Sequence, residues 1–276
     1  MSPHPDISAH YTSGTLLERL RAQLAADGVD PDHPTIAALA PFDHFHGRGL
    51  EATQEVAGSV AVAASDHVLD VGSGIGGPAR YFADRFGCRV TGIDLTAEFC
   101  EVARVLTRAV GLADRVVFEQ GTALAIPFAD ASFDGSYSMN VSMNIADKRG
   151  FFGEIARVLK SGAWLVLSEI ARGPGGEPAY PTPWAASAAT SFLATPAQTR
   201  QALAQAGFAI VTARDTVKEA MAFAARSRAM VERGEKPPFG AIRLIHGDRA
   251  AAMAANGARA LAEARIIPIE LVCRKS

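Results

Sequence analysis

A short apolar run, His67-Val68-Leu69-Asp70-Val71, stops directly on Gly72-Ser73-Gly74-Ile75-Gly76-Gly77. This junction limits the fold more than any other feature of the chain. A strand that ends on glycines and leads into a helix is the opening of a strand–helix–strand unit. The glycines permit positive φ and let the backbone approach a ligand closely. Pro78 suits the first turn of the following helix, where its missing N–H costs nothing. The free N–H groups at the start of that helix can face a polar ligand.

The chain beyond this junction alternates in the same way. Arg89 to Ile93, Val116 to Glu119, Phe133 to Ser138 and Ala163 to Glu169 read as strands, as do Phe208 to Thr212 and Ile267 to Cys273. Between them lie helical patterns. Thr96 is placed to cap a helix whose apolar face is Phe99, Val102, Ala103, Leu106 and Val110. Asp147 is placed to cap another, carrying Phe151, Phe152, Ile155, Val158 and Leu159, with Gly162 just past its end. Thr195-Pro196-Ala197-Gln198 reads as a capping box with proline at the first helical position. Alternation of this kind predicts an α/β fold with a mostly parallel sheet covered on both faces. Ligands of such sheets bind beyond the carboxyl ends of the strands, where the strand order reverses.

Leu16, Leu17, Leu20 and Leu24 recur at helical spacing, and Leu50, Thr53, Val56, Ala57 and Val60 suggest a further amphipathic helix. The expected organisation is an N-terminal helical segment over residues 1–65 that contributes to the active site, followed by one domain over 66–276. A helical insertion at about 215–262 is expected to cap the pocket.

Composition narrows the function classes. With 49% hydrophobic residues among 276 and a net charge of −2, wholesale disorder is excluded. A balance of 27 basic against 29 acidic residues lacks the excess of a nucleic-acid scaffold. Cys88, Cys100 and Cys273 form no metal-spaced cluster and read as reduced, packed thiols, so no metal is expected. The N-terminus lacks a signal-peptide pattern, and no apolar run approaches the roughly 20 residues that span a bilayer. A cytoplasmic protein is expected, without nucleic-acid partner or stable membrane insertion; a homodimer is compatible with the sequence.

Asp94, about 20 residues beyond the glycine loop and at the end of the second strand, is placed to hold ribose hydroxyls. Loop and acid together indicate a ribose-bearing cofactor. Gly72, Gly74 and Gly77 also fit the G-x-G-x-x-G pattern of a nicotinamide dinucleotide site. Asp70 discriminates, because a carboxylate there repels a pyrophosphate. S-adenosylmethionine carries a sulfonium and an amino group, and the same carboxylate attracts both.

The run VLDVGSGIGGPARYFADRFGCRVTGIDLT resembles the first block of class I S-adenosylmethionine-dependent methyltransferases, and EQGTALAIPFADASFD and IARVLKSGAWLVLSEI resemble later blocks. The likeness covers roughly residues 50 to 215. It is nearest to the small-molecule type, including sarcosine/dimethylglycine, tocopherol, sterol and quinone methyltransferases. It implies a Rossmann-like, doubly wound, mostly parallel seven-stranded sheet with an antiparallel last strand, N-terminal helices and a helical cap. It also implies that Gly72, Gly74 and Gly76 line the methionine end of the cofactor with Asp70 near its amino group. Asp94 would then accept the ribose hydroxyls and Leu95 pack on the adenine. Thr122 and Ala123 would sit at the adenine edge, where the family commonly has an acid. Ser138 and Met139 would face the methionine moiety. Relatives often carry Gln-His where this chain has Met139-Asn140, which removes one histidine base.

Methyl transfer from a sulfonium is an in-line displacement, so the protein must mainly align the partners and exclude water. The stretch Phe42-Asp43-His44-Phe45-His46-Gly47-Arg48, which the resemblance places beside the active site, offers His46 as base or orienting group. Asn140 is the other catalytic candidate. Tyr11 could close over the cofactor, and Met143 and Trp184 could line the pocket of a small-molecule acceptor. Arg243 and His246, in the expected cap, could meet a carboxylate. The leading expectation is a small-molecule methyltransferase. A nicotinamide-dependent oxidoreductase and a non-catalytic S-adenosylmethionine-binding protein are the alternatives. A nucleic-acid methylase is weaker, since SMNVSMN contains no Asn-Pro-Pro-aromatic run for a flipped base.

Overall fold

Strand β1 (His67–Val71) is buried from Val68 onward, as a strand in the middle of a parallel sheet must be. The structure, a computed structural model, describes residues 5–236 and 240–276, with side chains from Ile7 onward. Residues 237–239, inside the expected cap, lie outside that description. Beside β1 lie β2 (Arg89–Asp94) and β3 (Val116–Gln120) on one flank, and β4 (Phe133–Met139) and β5 (Leu159–Arg172) on the other. Strands β6 (Phe208–Asp215) and β7 (Ile266–Lys275) complete a seven-stranded sheet of order β3-β2-β1-β4-β5-β7-β6. The first five strands run parallel, whereas β7 is antiparallel to both β5 and β6. The order reverses between β1 and β4, which opens a crevice above their carboxyl ends.

Side-chain alternation divides the core between the two faces. Leu69 and Val71 of β1, with Leu165 and Leu167 of β5, pack against α7 (Lys148–Val158) and α8 (Pro196–Gln205). Val68, Trp164 and Val166 point to the opposite face. There they meet α4 (Leu50–Gly58), α5 (Gly77–Phe86) and α6 (Ala97–Ala109). The N-terminal helices α1 (Pro5–Tyr11), α2 (Leu16–Ala26) and α3 (Ile36–Asp43) lie over α5 and α6, with Leu16, Leu20 and Leu24 buried. Helices α9 (Val217–Glu232), α10 (Ala241–His246) and α11 (Ala250–Ala262) are inserted between β6 and β7. Among the described residues no helix is long and apolar enough to cross a membrane.

The Thr195 capping box is present: its hydroxyl accepts from Gln198 N–H, and the Gln198 side chain accepts from Thr195 N–H. Asp147 caps α7 by accepting from Gly150 N–H. Two local expectations are corrected. Thr96 makes no side-chain cap; its own N–H donates instead to Asp94 Oδ1 at 2.8 Å, a short-range carboxylate turn that displaces the cap. Helix α7 ends at Val158 rather than running to a glycine stop, because Leu159 is already extended and pairs with Phe133. Gly162, with φ +74°, therefore lies within β5.

Candidate active site

The glycine loop is held open by its own backbone. Gly72 and Ser73 both donate to Ile93 O, at 2.8 and 3.0 Å, which pins the loop to the end of β2. Gly72 has φ +79°, and a Cβ there would run into the methyls of Val141. Asp94 braces the loop from outside: Oδ2 accepts from Gly74 N–H at 2.8 Å while Oδ1 holds Thr96. Burial raises the Asp94 carboxyl pKa above its ordinary value.

Above the loop is a chamber of about 150 Å³, bordered by Asp70, Gly72, Gly74, Asp94 and Leu95, and on the far side by Thr122, Ala123 and Met139. Asp70 is 2% exposed, and its Oδ2 has no partner. Burial, partly offset by the Tyr137 hydroxyl and reinforced by the Asp94 charge, pushes its carboxyl up to about 8. The Ser73 hydroxyl, also at the chamber wall, lacks a partner too. A buried, unpaired carboxyl oxygen is costly unless a donor or cation reaches it. An ammonium group would meet both needs, so the residues present fit the methionine end of S-adenosylmethionine. Both Asp94 oxygens keep lone pairs that ribose hydroxyls can use.

A second chamber, of about 300 Å³, adjoins the first. Tyr11, Phe45, His46 and Asn140 border both, so they form the rim through which the two communicate. Thr53 Oγ1 sits 2.8 Å from His44 Nδ1 and 3.1 Å from His46 Nε2. One hydroxyl hydrogen serves both rings, so Thr53 donates to one imidazole and accepts from the other. Burial, followed by the nearby His44, pushes His46 down to about 3, which keeps the ring neutral. Asn140 has φ +56°, a left-handed conformation that asparagine tolerates better than most residues. With its amide oriented to suit its neighbours, Nδ2 donates to Ser168 O and Oδ1 accepts from Gly47 N–H, each at 3.2 Å. The Tyr11 hydroxyl donates to Asn144 Oδ1 at 3.2 Å, and Asn144 Nδ2 donates to Trp184 O at 2.6 Å.

Residues 69–167 match the family described as a methyltransferase domain. This stretch is a methyltransferase domain. The chain is 35% identical over 156 residues to methyltransferase GfsG of Streptomyces halstedii, an alignment covering 55% of this chain and 54% of GfsG. It is 33% identical over 170 residues to the O-methyltransferase cnsE of Penicillium expansum, covering 60% of each. The chain therefore spans little more than half the length of these curated relatives. Among solved structures, the geranyl diphosphate C-methyltransferase of Streptomyces coelicolor A3(2) superposes with a TM-score of 0.71 at 18% identity, over 100% of this chain and 99% of that one. The [4+2]-cyclase SpnF superposes with a TM-score of 0.68 at 23% identity, over 94% of each chain. Both share the fold.

Within the methyltransferase domain, Gly76 and Ser138 stand apart from the residues expected at the cofactor, since neither borders the chamber. Gly76 is the left-handed cap of α5, and a Cβ there would meet the Phe118 ring and the Arg80 guanidinium. Ser138 is wholly buried; strand alternation turns it away from the side that Met139 occupies. On the acceptor side, Met143 and Trp184 line the second chamber and Tyr11 lines both. His246 also lines it, whereas Arg243 is exposed and does not.

Glu169 is a site residue that sequence reasoning passed over. It lies near the carboxyl end of β5 and borders the second chamber. Its carboxylate accepts from Val141 and Ser142 N–H at 3.1–3.2 Å, and burial pushes it up to about 7. The signal available was position, because strand ends on this side of a doubly wound sheet face the ligand. Arg80 was missed as well. It is a fully buried arginine in α5 that reaches back to the N-terminal helices and had no local signature.

Proposed function

We propose that the protein transfers a methyl group from S-adenosylmethionine to a small-molecule acceptor. The observation that carries this reading is the junction of two chambers, one with the buried Asp70 carboxyl whose Oδ2 lacks a partner and the other with mostly apolar walls, at a shared rim. Bound here, held by Asp70 and Asp94, S-adenosylmethionine would supply an electrophilic methyl on a sulfonium; the acceptor atom would gain that methyl and give up any proton it carried to water, leaving the neutral thioether. The protein's part is alignment and exclusion of water. Asp70 holds the cationic amino end, and Asp94 fixes the ribose and the loop. Tyr11, Phe45, His46 and Asn140 set the aperture between methyl and acceptor. His46, neutral and already bonded to Thr53, orients that aperture and is not needed as a strong base.

Asp70 also weighs against a nicotinamide dinucleotide, because its carboxyl gains from a cationic amino group, which that cofactor does not bring beside its diphosphate. A second reading, a cofactor-binding protein that transfers no methyl, draws on the use of Asn140 as a brace between Gly47 and Ser168. It also draws on SpnF, a cyclase of the same fold. Calorimetry with S-adenosylhomocysteine tests the site, with one-to-one binding expected. A screen with radioactive methyl donor against a metabolite extract separates the two readings, since transfer to any extract component excludes the second. The three cysteines are free and buried, which supports a reducing, cytoplasmic location that cell fractionation would check.

A further inference from the structure

The second chamber is twice the size of the cofactor chamber, about 300 against 150 Å³. Its walls are largely hydrocarbon. Ala220 and Ala224, one turn apart on α9, and Ala254 and Ala258 of α11 border it, as do Met143 and Trp184. Small residues on both helices leave the space that larger side chains would fill.

The ionisable groups bordering this space are already committed or uncharged. Arg48, 6% exposed, gives both arms of its guanidinium to Glu55, at 2.6 and 2.9 Å. Glu55 also takes Arg214 at 2.6 Å, and Arg214 meets Glu219 and Glu270, so this corner carries no surplus positive charge. Glu169 is turned onto backbone N–H groups. His46 and His246 are both held neutral by burial, at about 3 and about 4. Among the described residues, no free cation faces the cavity to receive a phosphate or a carboxylate. Among the residues that border the cavity, one buried side-chain atom lacks a partner: Nδ1 of His246, on a residue 6% exposed. A neutral imidazole nitrogen of this kind can exchange one hydrogen bond with a hydroxyl or carbonyl.

We propose, on the basis of the methyl-transfer reading above, that the acceptor is an uncharged, largely hydrocarbon molecule whose polar group is a hydroxyl or carbonyl. A phosphorylated or zwitterionic metabolite would have to leave water without a counter-charge, which disfavours it. A molecule of mainly apolar surface instead gains by leaving water.

The test uses full-length protein saturated with S-adenosylhomocysteine, whose own binding is measured first. That complex is titrated with farnesol, farnesyl phosphate, farnesylamine and phosphoethanolamine. Farnesol is expected to bind at least about tenfold more tightly than either charged analogue, and phosphoethanolamine not at all. Ala224→Trp, which projects an indole from the α9 wall, is expected to weaken farnesol binding about tenfold or more and leave S-adenosylhomocysteine binding unchanged. Ala258→Trp, from α11, does the same and guards against a folding defect in the first variant. Equal or tighter binding of the phosphate or the amine overturns the proposal. So does undetectable farnesol binding, or farnesol binding that neither variant moves. Failure of S-adenosylhomocysteine itself to bind strikes the underlying methyl-transfer reading and is seen before any acceptor is added.

Discussion

Arg80 Nη2 donates to Asp43 Oδ2 across 2.8 Å, and neither side chain reaches solvent. The same guanidinium donates to Ile75 O and Thr107 Oγ1, so one side chain joins α3, the glycine loop and α6. Removing one member leaves the other as a buried, uncompensated charge. Arg80→Met is expected to destabilise the protein by about 3–5 kcal/mol, read from urea unfolding. Combining it with Asp43→Leu is expected to cost less than the sum of the single changes, because the stranded charge is gone. Strict additivity would show that the pair is not coupled.

Asp70 makes cofactor binding depend on pH. Its folded pKa, about 8, lies above the ordinary 3.8, so the empty fold retains a proton that the unfolded chain gives up. That contribution to stability is whole below the ordinary value and disappears as pH rises through about 8. A cationic ligand group favours the ionised carboxylate, so binding near neutral pH expels the proton. Calorimetry of S-adenosylhomocysteine in phosphate and in Tris is expected to show release of close to one proton at about pH 7. Affinity should rise toward about tenfold per pH unit below that. Asp70→Asn should abolish the release and weaken binding; binding that tightens on acidification would contradict this account.

Asp94 bonds two backbone N–H groups, on Gly74 and Thr96, and is placed for the ribose as well. Charge-assisted bonds of this type contribute about 1.5–3 kcal/mol each. Asp94→Ala is expected to weaken S-adenosylhomocysteine by about 100-fold or more, measured by titration. Unchanged affinity would remove the ribose from this carboxylate.

His46 is neutral throughout the physiological range, since burial holds it near 3. The pH profile of kcat/KM should therefore show no limb near the ordinary histidine value. His46→Gln, which can still bond Thr53, is expected to retain turnover to within about tenfold. A general base would show a loss of about 10²–10⁴.

Thr195→Ala removes the hydroxyl half of the capping box at the start of α8. It should lower stability by about 1 kcal/mol in urea unfolding and leave cofactor binding unaltered.

The features legible in the sequence were those with local causes. Val68, Leu69 and Val71 form a near-continuous apolar run because both faces of β1 are covered, and the glycines after them sit where φ turns positive. Thr195 and Gln198 satisfy each other within one helical turn, and four consecutive residues disclose that. The obscured features depend on distant partners. Leu159 leaves the helix early because Phe133 pairs with it. Ser138 is hidden by strand phase, which a resemblance to other chains does not reveal. Arg80 takes its partners Asp43 and Thr107 from elements dozens of positions away, so nothing near it in the chain announces a role. Of the second chamber the sequence indicated the helical cap and the wall residues Tyr11, Met143 and Trp184, but not its extent, since its walls come from segments that meet solely in the folded molecule.

The segment carrying α9, α10 and α11 leaves the sheet at Asp215 and returns at Ile266, into neighbouring strands whose pairing includes Asp215 with Ile269. Both of its ends are thus moored to the same scaffold, across the sheet from the ends of β1 and β2, where the donor is proposed to bind. Mutations can remodel this loop-out, in length or in side-chain bulk, without shifting any strand register. Evolution can accordingly explore new acceptors in one part of the molecule while the donor machinery stays fixed in another.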